Sequence, residues 1–154
     1  MTLAGYDFRL RGTAEVPFET LYLPNADSGI ALDLRRYVQA GTRARVVDDP
    51  KQAEAILAFT EENRDKNILS LTGAGRVSEF QLRYRVGFRV HDGKGGEFVP
   101  LSAVQLTRDI TFNDSDVLSK EAEEQLLYRD MQRDMVQQIM RRLAAAQKPK
   151  AAVQ

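Results

Sequence analysis

The chain has 154 residues, enough for one domain with a substantial core and too few for two. Its 43% hydrophobic and 29% charged residues make an ordinary soluble balance, and 22 basic against 22 acidic side chains leave no bulk positive charge to argue for nucleic acid. The lack of cysteine excludes disulfides and thiolate chemistry, and no segment approaches the roughly 20 apolar residues of a transmembrane helix.

Residues 6–12 alternate weakly, and Leu21–Leu23, after Pro17, reads as a short strand. Asn25-Ala26-Asp27-Ser28-Gly29 is a turn that can cap a helix over about 29–40. There Ile30, Leu34 and Val38 are spaced by four and Tyr37 joins them, giving one apolar stripe, with Gly41 as a left-handed stop. Arg45-Val46-Val47 is a short strand closed by Asp48-Asp49-Pro50. The next strand spans about 55–63, with Leu57 and Phe59 on its better-defined face, and Ile68–Leu71 can continue it before the reversal at Thr72-Gly73-Ala74-Gly75.

The strand over 80–90 carries the clearest pattern. Phe80, Leu82, Tyr84, Val86, Phe88 and Val90 point one way; Glu79, Gln81, Arg83, Arg85, Arg89 and His91 point the other. A period of two makes a half-buried sheet whose second face carries three arginines. Asp92-Gly93-Lys94-Gly95-Gly96 then forms a hairpin connection, Val104, Leu106, Ile110 and Phe112 alternate in the return strand, and Asn113–Asp116 ends it. In the last helix Leu118, Ala122, Leu126/Leu127, Met131, Met135, Ile139 and Leu143 form a stripe that Val136 and Met140 widen. Ser119 is its expected N-cap, and acidic residues open it while Arg141 and Arg142 suit its other end. Two amphipathic helices on one face of a mostly antiparallel sheet predict an α+β two-layer sandwich. Phe80, Val86 and Leu126 are expected to be buried.

Catalytic signals are weak. His91 beside Asp92 has no cysteine or other obvious nucleophile, and a solvent-facing strand end is the better reading. There is no second histidine for zinc, and Asp114/Asp116 with Asn113 lacks the oxygen series of a calcium loop, so this segment reads as a turn and no metal or cofactor is expected. Gly73-x-Gly75 and Gly93-x-Gly95-Gly96 lie between hairpin strands rather than in a βαβ unit, and read as turns. Met131, Met135 and Met140 sit on the core stripe.

The basic strand face is harder to dismiss. Arg83 and Arg85 lie opposite the core, followed by Arg89; Arg76 stands in the preceding loop, and Arg108 can lie across the hairpin. Arginine forks suit phosphate or carboxylate. A solvated face with acidic neighbours at Glu79 and Asp109 explains the same pattern, as does a surface that meets an anionic ligand or a protein wall.

The N-terminus makes a resemblance specific. Leu3-Ala4-Gly5 is similar to the first three residues of a lipoprotein processing box, with Tyr6 where the lipidated cysteine would stand. Phe8-Arg9-Leu10-Arg11-Gly12-Thr13 and Val16-Pro17 follow, and these resemble the start of the mature LPS-assembly lipoprotein LptE family. Family-like features continue in order over about residues 6–145: Leu21–Leu23, Arg35-Arg36 within the first helix, Asp48-Asp49, Glu79-Phe80-Gln81, Arg108–Phe112, and Leu118-Ser119-Lys120-Glu121-Ala122-Glu123.

The resemblance implies two helices against a sheet of about four strands and no catalysis. It implies a plug and assembly partner of the LptD outer-membrane β-barrel that also contacts lipopolysaccharide. The location implied is the periplasmic side of the outer membrane of a Gram-negative bacterium, through an N-terminal lipid. Two basic family positions are linked to the lipid ligand. One corresponds to Lys120; the other falls at the uncharged Thr72–Gly75 loop, where Arg76 is the nearest substitute. The expected ligand-binding set is thus Lys120, Arg76, Arg83 and Arg85. Without the cysteine this chain is expected to be soluble, with residues 6–147 one domain, 1–5 a remnant of the processing box or of vector sequence, and 148–154 a disordered tail. A stand-alone periplasmic glycolipid-binding module is the alternative function. It needs an apolar cleft beside Arg76, Lys120 or the Arg83/Arg85 face, and the sequence shows no obvious surplus of unburied apolar residues.

Overall fold

A computed structural model describes residues 15–111 and 117–149. The processing-box-like Leu3–Gly5, the weak strand over 6–12, Phe112, the Asn113–Asp116 turn and the last five positions lie outside the described residues.

Strand β1 (Thr20–Tyr22) leads through a turn to helix α1 (Gly29–Gly41), strand β2 (Arg45–Val47) and a short 3-10 turn at Pro50–Gln52. Three long strands follow, β3 (Ala55–Leu71), β4 (Val77–His91) and β5 (Glu97–Thr111), and then helix α2 (Val117–Ala145). The sheet order is β2-β1-β3-β4-β5. Strand β1 runs parallel to both neighbours, because α1 carries the chain back before β2 begins, while β3, β4 and β5 pair as antiparallel hairpins. The architecture is the expected α+β sandwich, with five strands in place of about four.

The strand period predicted for β4 holds: Leu82, Tyr84, Val86, Phe88 and Val90 are all buried. They meet Ile30, Leu34 and Val38 of α1, and Met131, Met135, Val136, Ile139 and Leu143 of α2, in one core. Phe80, nearer the far end of the sheet, is only partly buried.

Strand β3 is continuous, but a bulge at Thr60 changes which residues face the helices. Before it, Leu57 and Phe59 stand opposite Val90 and Phe88 on the core face. After it, Glu62, Arg64, Lys66 and Ile68 stand opposite Val86, Tyr84, Leu82 and Phe80. One extra residue inverts the alternation, so polar side chains occupy the helix-facing side of the outer half of β3. Gly87 is needed here: a Cβ at that position would meet Thr60 Oγ1 at 2.5 Å and Glu61 Cγ at 2.9 Å.

Three local expectations need correction. Gly41 is the last residue of α1 and is not left-handed. Thr42 stops the helix instead; its hydroxyl donates to Val38 O (2.8 Å) and accepts from Ala44 N (3.0 Å), satisfying an end carbonyl without a glycine turn. Ser119 is not an N-cap, because α2 already begins at Val117 and Ser119 falls within its first turn. Leu126 is 57% exposed and Leu118 81%, whereas Leu127 packs against the core and Met131 is buried. At about 100° per residue, Leu118, Ala122 and Leu126 lie roughly 140–180° around the helix from Met131. The step from Leu126 to Met131 is five residues rather than four, so these residues could not share one buried face with Met131, Met135, Ile139 and Leu143.

Candidate functional site

The long hairpins and α2 bring several sequence-selected residues to one end of the sheet, called here the tip. The β3–β4 reversal is closed by Thr72 N donating to Arg76 O (2.6 Å) and Gly75 N to Thr72 O (2.9 Å). The Thr72 hydroxyl oxygen accepts from Ala74 N (3.3 Å) and Arg76 N (3.2 Å), and Gly75 supplies the positive φ of 80° that the turn requires. Arg76 is exposed on this turn.

Thr111 pairs with Glu79, so β5 ends beside the same turn and α2 starts there. Lys120 Nζ donates to Glu123 Oε2 (2.9 Å) and to Thr111 Oγ1 (3.4 Å), which tethers the ammonium to the end of β5. Lys120 and Arg76 therefore lie at one end of the molecule. With them are Ile68, Leu69, Leu71 and Leu118, four exposed large apolar side chains. Concentrated exposed apolar surface marks a contact with protein or lipid. The sequence held a usable signal: Ile68-Leu69-Ser70-Leu71 puts three apolar residues in four positions beside a turn, which period-two burial cannot hide on one face.

Arg83 and Arg85 lie elsewhere, on the sheet face away from the helices, and each meets a carboxylate of β3. Arg83 donates through Nε (3.2 Å) and Nη2 (2.9 Å) to Asp65 Oδ2, and Arg85 Nε donates to Glu61 Oε1 (2.9 Å). Arg89 Nε stands 3.4 Å from Glu97 Oε2. All are surface pairs, which neutralise the face and contribute little stability. The acidic partners are Asp65 and Glu61, set by the register after the β3 bulge, and Glu97 of β5, rather than Glu79 and Asp109. Arg108 is across the hairpin but on the opposite face. It sits opposite Leu82, and its Nη2 donates to Asp134 of α2 (3.0 Å), so it braces the helix rather than extending the basic surface.

His91 Nδ1 accepts from Gly93 N (3.1 Å), and Asp92 Oδ1 accepts from Lys94 N (2.7 Å) and Gly96 N (2.9 Å). Those backbone donors hold the Asp92 carboxyl below its usual range. Both residues thus serve the β4–β5 turn. Among the described residues, no three His, Asp or Glu side chains gather to hold a metal ion.

Such a fold, with cations and exposed apolar side chains gathered at one tip, defines a two-layer module of the α+β class. The sequence profile described as "LptE: Lipopolysaccharide-assembly" matches residues 12–143. The LPS-assembly lipoprotein LptE of Pectobacterium atrosepticum is 30% identical over 146 residues, covering 91% of this chain and 77% of that protein. That of Photorhabdus laumondii is 27% identical over 157 residues, covering 98% and 85%. Among solved structures, the solution structure of an uncharacterized lipoprotein B from Nitrosomonas europaea has a TM-score of 0.77 at 44% identity over 88% of each chain. The rare lipoprotein B of Shewanella oneidensis shares the fold, with a TM-score of 0.70 at 23% identity over 82% of this chain and 94% of that one. The chain belongs to the LptE family of lipopolysaccharide-assembly lipoproteins. Its role is structural rather than enzymatic, in outer-membrane biogenesis, and its place is the periplasmic side of the outer membrane, where this family of lipid-anchored proteins resides.

Proposed function

We propose that this chain is the plug and assembly partner of an LptD-type outer-membrane β-barrel, and that its tip contacts lipopolysaccharide during insertion into the outer leaflet. The observation that carries the lipid contact is the tip itself, where Lys120 and Arg76 share one end of the sheet with Ile68, Leu69, Leu71 and Leu118. A lipid with phosphates and acyl chains offers both kinds of complement: charge-assisted hydrogen bonds for the cations and hydrocarbon for the leucines. The exposed row Leu118, Ala122 and Leu126 supports a further apolar contact along α2, of the kind a barrel wall would make. Arg83 and Arg85 enter this reading as secondary contacts, since an anion there must compete with Asp65 and Glu61.

Co-expression of the lipid-anchored form with LptD in a Gram-negative host tests the plug. A one-to-one complex that survives purification is expected. A folded protein that fails to associate would leave the stand-alone glycolipid-binding module, which the exposed tip leucines also support.

The lipid contact has its own test. Lys120→Asp is expected to weaken binding of purified lipopolysaccharide by about tenfold or more, the weight of a charge-assisted hydrogen bond. The fold should survive, because an aspartate in the first turn of α2 suits the positive end of the helix and offsets the lost Lys120–Glu123 pair. An unchanged titration, with circular dichroism intact, would remove Lys120 from the contact.

A further inference from the structure

Between α1 and α2 lies a solvent-open groove of about 620 Å³, well below the tip and on the helix side of the sheet. Its floor is Arg64, which the Thr60 bulge turns toward the helices. The Arg64 guanidinium lies over the rings of Tyr84 (4.9 Å) and Tyr128 (5.6 Å). Its Nη2 donates to Gln132 Oε1 (2.5 Å), and Gln132 Nε2 donates to Asp33 Oδ2 (2.6 Å). This relay ties β3, α2 and α1 together and holds Arg64 in place through neutral partners and rings.

The walls add Arg36 from α1 and Arg129 and Arg133 from α2. Arg129 and Arg133 are one helical turn apart, a spacing at which like charges repel. Arg133 has Asp130 at 3.6 Å, but Arg36, Arg64 and Arg129 form no ion pair among the described residues. Four arginines against Asp33 and the Asp130 partner of Arg133 leave two positive charges in the groove of a chain whose net charge is zero. The contrast with the outer sheet face is direct. There Arg83, Arg85 and Arg89 each have a carboxylate. Here, Arg36, Arg64 and Arg129 are left without one among the described residues, beside the half-exposed rings of Tyr37 and Tyr128.

We propose that this groove is a second binding site, separate from the tip, for a phosphorylated saccharide. Arg36 and Arg129 at its rim grip the phosphates through planar forks, while Tyr37 presents its exposed ring to the sugar. The choice of a phosphorylated saccharide over other anions rests on the reading that this chain handles lipopolysaccharide, whose glycan would then be held at a point below its lipid.

The test uses the folded chain, the double variant Arg36→Gln/Arg129→Gln, and Lys120→Asp. The probes are intact lipopolysaccharide, the same material fully deacylated, and the deacylated glycan after chemical removal of phosphate, each titrated by calorimetry. Both substitutions are at exposed positions, so the fold is expected to persist. Deacylated glycan should bind the unmodified chain, and the double variant should weaken it by about tenfold or more, as should removal of the phosphates. Equal binding by the double variant, or by the phosphate-free glycan, would overturn the groove. If intact lipopolysaccharide then still binds in a Lys120-dependent manner, the tip reading stands alone. Binding of deacylated glycan that depends on Arg36 and Arg129, with intact lipid unaffected by Lys120→Asp, would keep the groove and remove the tip contact.

Discussion

Phe88→Ala should lower the unfolding free energy by roughly 3–5 kcal/mol, whereas Arg89→Ala, one residue on, should change it by less than about 1 kcal/mol. Phe88 is fully buried, opposite Phe59 on β3 and Ser102 on β5, and neither neighbour is large enough on both sides to refill the space left by a benzyl group. Lost transfer energy and a residual cavity therefore add. Arg89 points to the other face and has only a solvent-exposed ion pair with Glu97 to lose. Urea unfolding followed by circular dichroism measures both. Similar costs at the two positions would contradict the face assignment on which the whole β4 register depends.

Alkaline pH should destabilise the protein through Tyr84 and spare a Tyr84→Phe variant from that part of the loss. Burial, and then the hydrogen bond to Glu62 Oε2 (2.5 Å) with the charge of that carboxylate, push the Tyr84 phenol above its ordinary value. The unfolded chain releases this proton near pH 10, while the folded chain retains it. The contribution is fully present below pH 10, and above it stability falls by about 1.4 kcal/mol per pH unit until the folded phenol also ionises. Tyr128 is shifted in the same direction, by burial and then Glu124, and remains in both proteins. Below pH 10 the unmodified chain should be the more stable by about 1 kcal/mol, the worth of one hydrogen bond. Above it the gap should close and then reverse. Paired urea titrations from pH 9 upward read this out, and a gap constant across that range would mean that the phenol is not held protonated.

One device sets the electrostatic contrast of this neutral chain, between a neutralised outer sheet face and a basic groove beneath the helices. The Thr60 bulge places Glu61 and Asp65 on the outer face, where they cancel Arg85 and Arg83. The same bulge turns Arg64 and Lys66 toward the helices. Lys66 is then taken up by Glu124 (2.7 Å) and the Phe80 ring (4.3 Å), while Arg64 becomes the floor of the arginine groove. A one-residue insertion in a strand thus decides which arginines are silent and which are available.

Much of the architecture was legible from period alone. The alternation from Phe80 to Val90 determined the buried face of β4, and the four-residue spacing of Ile30, Leu34 and Val38 determined the buried face of α1, because each element is straight enough for its local period to persist. The order of motifs from Phe8 to Glu123 marked the family. Tertiary structure decided the rest. Leu126 lost its place in the core because it stands five residues before Met131, about 140° around the helix, whereas Leu127 continues the buried four-spaced row. Arg108 moved to the helix face because antiparallel register, not sequence proximity, sets which side chains are neighbours. The tip leucines left only a local trace in the run Ile68-Leu69-Ser70-Leu71, and the arginine groove is invisible in one dimension, since it assembles residues from a bulged strand and two helices. Local sequence determines which way a side chain points within its own element; only packing determines what, if anything, stands in front of it.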